Sequence, residues 1–306
     1  MANNLSARLR HKAINGWNLF WLISIPMSLA MLVEIMSADL SAPPDVSGLI
    51  GFSVRFAVPL IFIVTATSAL QTLFPGPIPA WLLRNRKTIG LCFAVAMAFQ
   101  GAFIGIMSSI YSDYSYEEIF YFRDELEGST GYLFLAAMVV TSFEFGRKHL
   151  SPQQWKLLHT SGIYFLWAYP FSTYWWSLLY YGDPLPHDHV FYWMGFTAFA
   201  LRIAAWGMKR SLAIAKRDPA SATPITLKLI GGALIASGII VAAFSPYHYE
   251  AIGNFLMGPD WSATLGLWLP FWPFEPFLSL FLVGIGTSLA THAGVSDPNL
   301  AVQPAD

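Results

Sequence analysis

His159 is the one histidine of this chain that falls inside a long apolar run, in the phrase Trp155-Lys-Leu-Leu-His159. An imidazole set in lipid does one of two things. It ligates iron or another metal, or it satisfies a buried hydrogen bond. Gln100, near the middle of an earlier apolar run, is the polar side chain to which His159 would bond across the bundle. It is also the position from which a weak second iron ligand would come. Two further phrases carry histidines beside acids, His187-Asp188-His189 and Pro246-Tyr247-His248-Tyr249-Glu250. A His-x-His pair beside carboxylates suits copper or zinc. A metal there would be held by His187, His189 and His248, while ordinary surface histidines are the preferred reading. Three charges also fall in apolar runs, where an unpaired charge is costly. Glu34 and Arg55 lie near the same end of their runs and either pair or reach the interface, and Arg202 lies deeper. Glu144 is expected to pair near Arg147 and Lys148.

The elements that position these residues follow from composition. Of 306 residues, 55% are hydrophobic, 16% aromatic and only 11% charged. A soluble domain carries roughly 25% charged residues, so the chain reads as an integral membrane protein. The net charge of -1 says nothing about nucleic acid, no basic stripe suggests it, and no nucleic-acid partner is expected. The single cysteine, Cys92, excludes internal disulfides and Cys-rich metal sites, and reads as a small packing or lipid-facing residue. No Gly-rich phosphate loop or dinucleotide fingerprint is present. Any electrons the chain moves would come from a partner protein or a quinol.

A helical span needs about 20 apolar residues. Eight runs qualify, near 16–36, 48–74, 88–111, 130–146, 155–180, 190–208, 225–244 and 265–290. The first reads as a retained signal anchor. With the N-terminus inside, the inner segments hold Arg8, Arg10 and Lys12; Arg84, Arg86 and Lys87; Arg147, Lys148 and Lys156; and Lys209, Arg210, Lys216, Arg217 and Lys228. That is all but three of the 17 Lys and Arg, the others being Arg55, Arg123 and Arg202. Such segregation predicts an all-α polytopic bundle of eight spans, both termini cytoplasmic, in a bacterial-type inner membrane. The bundle is one domain over 1–290, followed by a short polar tail, 291–306. The acidic, aromatic stretch 112–128 is expected as an ordered interfacial loop or a short surface helix. Prolines at 270, 273 and 276 predict a non-helical or kinked lead-in that becomes helical near Phe277. Glu275 is its candidate polar contact.

Two phrases resemble the ferric reductase-like transmembrane family. One is Arg84-Asn-Arg86-Lys87-Thr-Ile-Gly90-Leu91, a basic cluster running into Ile-Gly-Leu at the start of the third span. The other is Trp155-Lys-Leu-Leu-His159 followed by Ile163-Tyr164 on the fifth. The resemblance covers roughly 48–208, spans two to six. It implies a membrane electron-transfer fold in which histidines on those two spans hold b-type haem in pairs. The chain departs from that pattern. Ten residues after Gly90 stands Gln100; thirteen and fourteen after it stand Asp113 and Tyr114; and thirteen and fourteen after His159 stand Ser172 and Thr173. Of the four implied ligands His159 alone remains.

His159 therefore has three readings. It is a structural residue bonded to Gln100 or to a carbonyl, a single haem ligand with Gln100 or water opposite, or an interfacial histidine; the structural reading leads. Crowded aromatics on the fifth span (Trp167, Tyr169, Tyr174, Trp175, Trp176, Tyr180, Tyr181) would fill the space of an absent haem or line an electron route. The expectation for function is a membrane scaffold or subunit of a larger complex without the bis-histidine pair and more readily without any haem. The alternatives are a haem b electron-transfer protein using His159, or a transporter using Arg55, Gln100 and Arg202. Any enzymatic role would be of the oxidoreductase type. The partners expected are the lipid bilayer and a protein partner in a membrane complex.

Overall fold

The computed structural model describes residues 2–119, 122–179, 183–217, 223–257 and 275–292. Every regular element among them is helical. Helix α1 (Ala2–Leu9) and a 3-10 turn (Lys12–Ile14) precede α2 (Gly16–Ser37). The turn into α2 needs a positive φ, +58°, which Gly16 supplies. Then come α3 (Pro43–Leu73), α4 (Pro77–Ile110), the short α5 (Ser112–Tyr114), a π-turn (Ser115–Ile119) and α6 (Phe122–Val140). After the short α7 (Glu144–Arg147) follow α8 (Pro152–Leu179), α9 (Pro186–Arg217) and α10 (Ile225–Met257), the last with a kink at Phe244. A 3-10 turn (Glu275–Phe277) leads into α11 (Leu278–Ala290). Prolines open α3, α4, α8 and α9, where the missing N–H would have no helical partner.

Four helices, α2, α3, α4 and α10 up to Phe244, are long and apolar enough to cross a bilayer, and α11 is a shorter apolar helix. Helices α6, α8 and α9 have 19, 28 and 32 residues. Their polar and charged residues, Glu125, His159 and Arg202 among them, make them less apolar than the other four. Two boundaries differ from those read in the sequence. Helix α6 stops at Val140, not near 146, because Phe143 adopts an extended backbone (φ −109°, ψ 156°) that breaks the helix before α7. The stretch 112–128 is mostly helical and runs into α6. The lead-in to the last helix is a 3-10 turn at Glu275–Phe277, with helix from Leu278. The rest of the proline phrase, the Glu275 side chain and most of the tail lie outside the described residues.

The order of contacts builds the bundle. Helix α3 is central and packs on α4, α8 and α9; α2 covers α4, α6 pairs with α8, and α11 joins α9 to α10. Glycine brings α10 and α11 together. A Cβ on Gly231 would stand 2.5 Å from the Gly286 carbonyl oxygen, and one on Gly238 would stand 2.6 Å from that of Ser279. Small residues allow such close approach between helices in lipid.

Contacts between helix ends sort the charges. At one end, the Trp81 indole donates to the Ile14 carbonyl (2.9 Å), Arg210 donates to the Ser288 hydroxyl (3.1 Å), and Trp17 stacks with Phe143. This end carries the basic segments from Arg8 to Lys228. At the other, the Tyr111 hydroxyl donates to the Leu40 carbonyl (2.6 Å), near Asp39, Asp45 and Asp113. The bundle thus has a basic end and an acidic end.

Candidate functional site

The two family-like phrases meet at the basic end, around a cavity of about 900 Å³ between α3, α4, α6 and α8. Tyr132 on α6 reaches α4 at the far side of this cavity from its charged residues. The Tyr132 hydroxyl lies 3.1 Å from the Met97 carbonyl oxygen and 3.0 Å from Gln100 Oε1. The depth of the cavity is apolar, with Ile61, Val64, Phe93, Leu135 and Leu166 on its walls. Its mouth carries Arg86, Lys87, Arg147 and Lys156 against the single acid Glu144.

His159 stands in this wall as half of a clamp. Trp155 and His159 lie one helical turn apart on α8, the spacing at which side chains meet. Their rings stack at 4.1 Å between centroids. Both hold Thr141, the residue that follows α6: the Trp155 indole donates to its carbonyl oxygen (3.1 Å), and its hydroxyl lies 3.0 Å from His159 Nε2. The Thr141 hydroxyl donates to the Ala137 carbonyl (2.7 Å). Its proton is therefore used, and it accepts from His159, which assigns the imidazole proton to Nε2. Arg147 lies over the outer face of the stack, 4.2 Å from the Trp155 ring centre. It makes no ion pair with Glu144 among the described residues.

Gln100 is not the partner of His159. It bonds to Tyr132, nine residues before Thr141 along α6, an axial separation of roughly 13 Å at 1.5 Å per residue. Ser172 and Thr173 return their hydroxyls to the Tyr169 carbonyl at 2.8 and 3.0 Å. These positions do not converge on one iron, and the ring nitrogen His159 presents to its partner is occupied by Thr141. The bis-histidine pair that the resemblance implies does not fit these residues.

The space around Ser172 is closed by rings. Trp167 stacks on Phe199 (4.2 Å) and Phe171 (5.0 Å), and Phe171 on Tyr192 (5.6 Å). The Trp167 indole donates to the Gly195 carbonyl (2.9 Å), and the Tyr192 hydroxyl donates to that of Ala242 (3.0 Å). A Cβ on Gly195 would meet Phe62 at 2.8 Å and Phe171 at 2.9 Å. Of the aromatics expected here, Trp167, Tyr174 and Trp175 are buried, and Tyr180 and Tyr181 lie outside the described residues.

The other candidates fall apart from the cavity. His187 and His189 begin α9; two residues apart on a helix, they turn to opposite sides. His187 faces Asp188 (3.4 Å) and His189 is exposed. Among the described residues no cluster of three metal-binding side chains forms, and the His248 side chain lies outside them. Arg55 is exposed and makes no ion pair with Glu34 among the described residues. Cys92 is buried between α2 and α4, accepting from the Ser24 hydroxyl at 3.5 Å.

Asn85, Thr141 and the partners of Arg202 escaped the sequence. Asn85, inside the first phrase, is buried and fastens α4 to the start of α2: it donates to Asn15 Oδ1 (2.8 Å) and accepts from the Gly16 N–H (3.1 Å). Arg202 donates to the Thr65 carbonyl (3.1 Å) and the Tyr164 hydroxyl (2.7 Å), and its Nε is buried without a partner. Thr141 stands at the end of an apolar run, and its one advance signal was that a Trp-x-x-x-His pair on the next helix needs an acceptor. Comparison with protein-family models, with curated proteins and with solved structures finds no match.

Proposed function

We propose that this chain is a multi-pass membrane protein of eight spans that serves as a scaffold or subunit of a membrane complex, built on a ferric reductase-like core without its haem pair. The observation that carries this reading is the Thr141 clamp. The histidine of the reductase-like phrase bonds a hydroxyl on the neighbouring helix, and Gln100 is held elsewhere by Tyr132. In this reading α6, α8, α9 and α11 supply the other four spans, successive spans run in opposite directions, and the charge rule turns the basic end to the cytoplasm.

A second reading keeps one haem on His159. The cavity favours it: His159 lines about 900 Å³ of space with apolar depth and a basic mouth that suits propionates. It requires His159 Nε2 to leave Thr141. The full chain, expressed with added haem and purified in mild detergent, separates the two by its reduced-minus-oxidised spectrum. We expect no b-type absorbance. A stoichiometric signal lost in His159→Ala overturns the scaffold reading in favour of the second.

A further inference from the structure

We infer that the basic-end cavity is a binding site for an anionic phospholipid, whose phosphate sits between Arg86, Arg147 and Lys156 and one of whose acyl chains lies along Phe93, Leu135 and Leu166. The charge at the mouth is unbalanced. Four cations and one acid line the cavity. Arg86 is half-buried, yet it makes no hydrogen bond or ion pair among the described residues. Two of the other cations rest on rings instead of acids, Lys87 on Phe143 at 4.6 Å and Arg147 on Trp155 at 4.2 Å. A guanidinium stacked on a ring keeps its N–H donors free, and its planar fork matches two phosphate oxygens. Like charges gathered in a low-dielectric wall repel, so a ligand that brings negative charge is favoured there.

The rest of the cavity selects the ligand's other half. Beyond the cations the walls carry Ile61, Val64, Phe93, Leu135, Ile163 and Leu166. Free phosphate would leave this surface facing water, whereas an acyl chain would cover it. Residues of both α4 and α6 line this apolar part, so an acyl chain would lie between the two helices. An anionic diacyl phospholipid has both parts in the required order.

Native mass spectrometry of the delipidated full chain tests this, with phosphatidylglycerol, phosphatidylcholine of matched chains, and inorganic phosphate as separate probes. We expect one phosphatidylglycerol bound roughly tenfold more tightly than phosphatidylcholine, no retained phosphate, and a loss of roughly tenfold in Arg86→Gln and Lys156→Gln. Arg210→Gln, at the same end but bonded to Ser288, should bind as the unaltered chain does. Lys156 is exposed, so its variant reports even if Arg86→Gln fails to fold. Equal retention of both lipids, binding untouched by Lys156→Gln, retention of phosphate alone, or a mass addition of haem in place of lipid overturns the proposal.

Discussion

Helix α8 meets its neighbours in two opposite ways. Toward the acidic end, Trp167 and Phe171 interlock with Phe62, Tyr192, Gly195 and Phe199, so closely that a single added methyl at Gly195 has no place. Toward the basic end, the Thr141 clamp and the close packing of Gly162 on Met138 hold α8 to α6, and a cavity opens beside them. One helix thus separates two tasks. The filled half fixes the bundle, and the open half leaves room for a ligand. The contrast has a physical side: dry ring packing leaves no room for water or a guest, whereas the cavity is rimmed by four cations and one acid.

The sharpest way to break the contrast is Trp167→Ala. It empties a buried ring site and orphans the Gly195 carbonyl, and should cost about 3–5 kcal/mol in thermal unfolding followed by circular dichroism in detergent. Gly195→Val follows. Its added carbons meet Phe62 and Phe171, and overpacking of this kind costs about 1–3 kcal/mol. At the clamp, Thr141→Val removes the acceptor for His159 and should cost about 1–2 kcal/mol, while Thr141→Ser restores most of it. Leu91→Phe, on the cavity wall, should change stability by no more than about 0.5 kcal/mol, since the ring enters open space. A penalty at Leu91 as large as that at Gly195 would erase the distinction between the halves.

The sequence made the bundle legible through its charges. Lysines and arginines cluster between every second pair of apolar runs, and the described helices gather those segments at one end of the bundle. The filled half was partly legible as well, because Trp167, Phe171 and Tyr174 crowd one stretch. The clamp was not. A histidine in lipid announces that it needs a partner, but its identity depends on where α6 stops, and that break rests on the backbone of Phe143. Asn85 was hidden for a similar reason: inside a basic phrase it reads as a spacer, and only the fold brings Asn15 and Gly16 to it. Of the two alternatives for Glu34 and Arg55 the pair does not form among the described residues, and neither does the expected Glu144–Arg147 pair, because spacing along a chain does not set side-chain direction. Arg147 found a ring and Arg55 found the surface.

Helix α4 has 34 residues, about 51 Å at 1.5 Å per residue, against a hydrocarbon layer of about 30 Å. Tilt absorbs part of that surplus. At the basic end Trp81, Arg84 and Asn85 tie the start of α4 to the segment Leu9–Gly16. Arg86 follows directly on that fastening, so the helix that walls the cavity is anchored beside its cationic mouth.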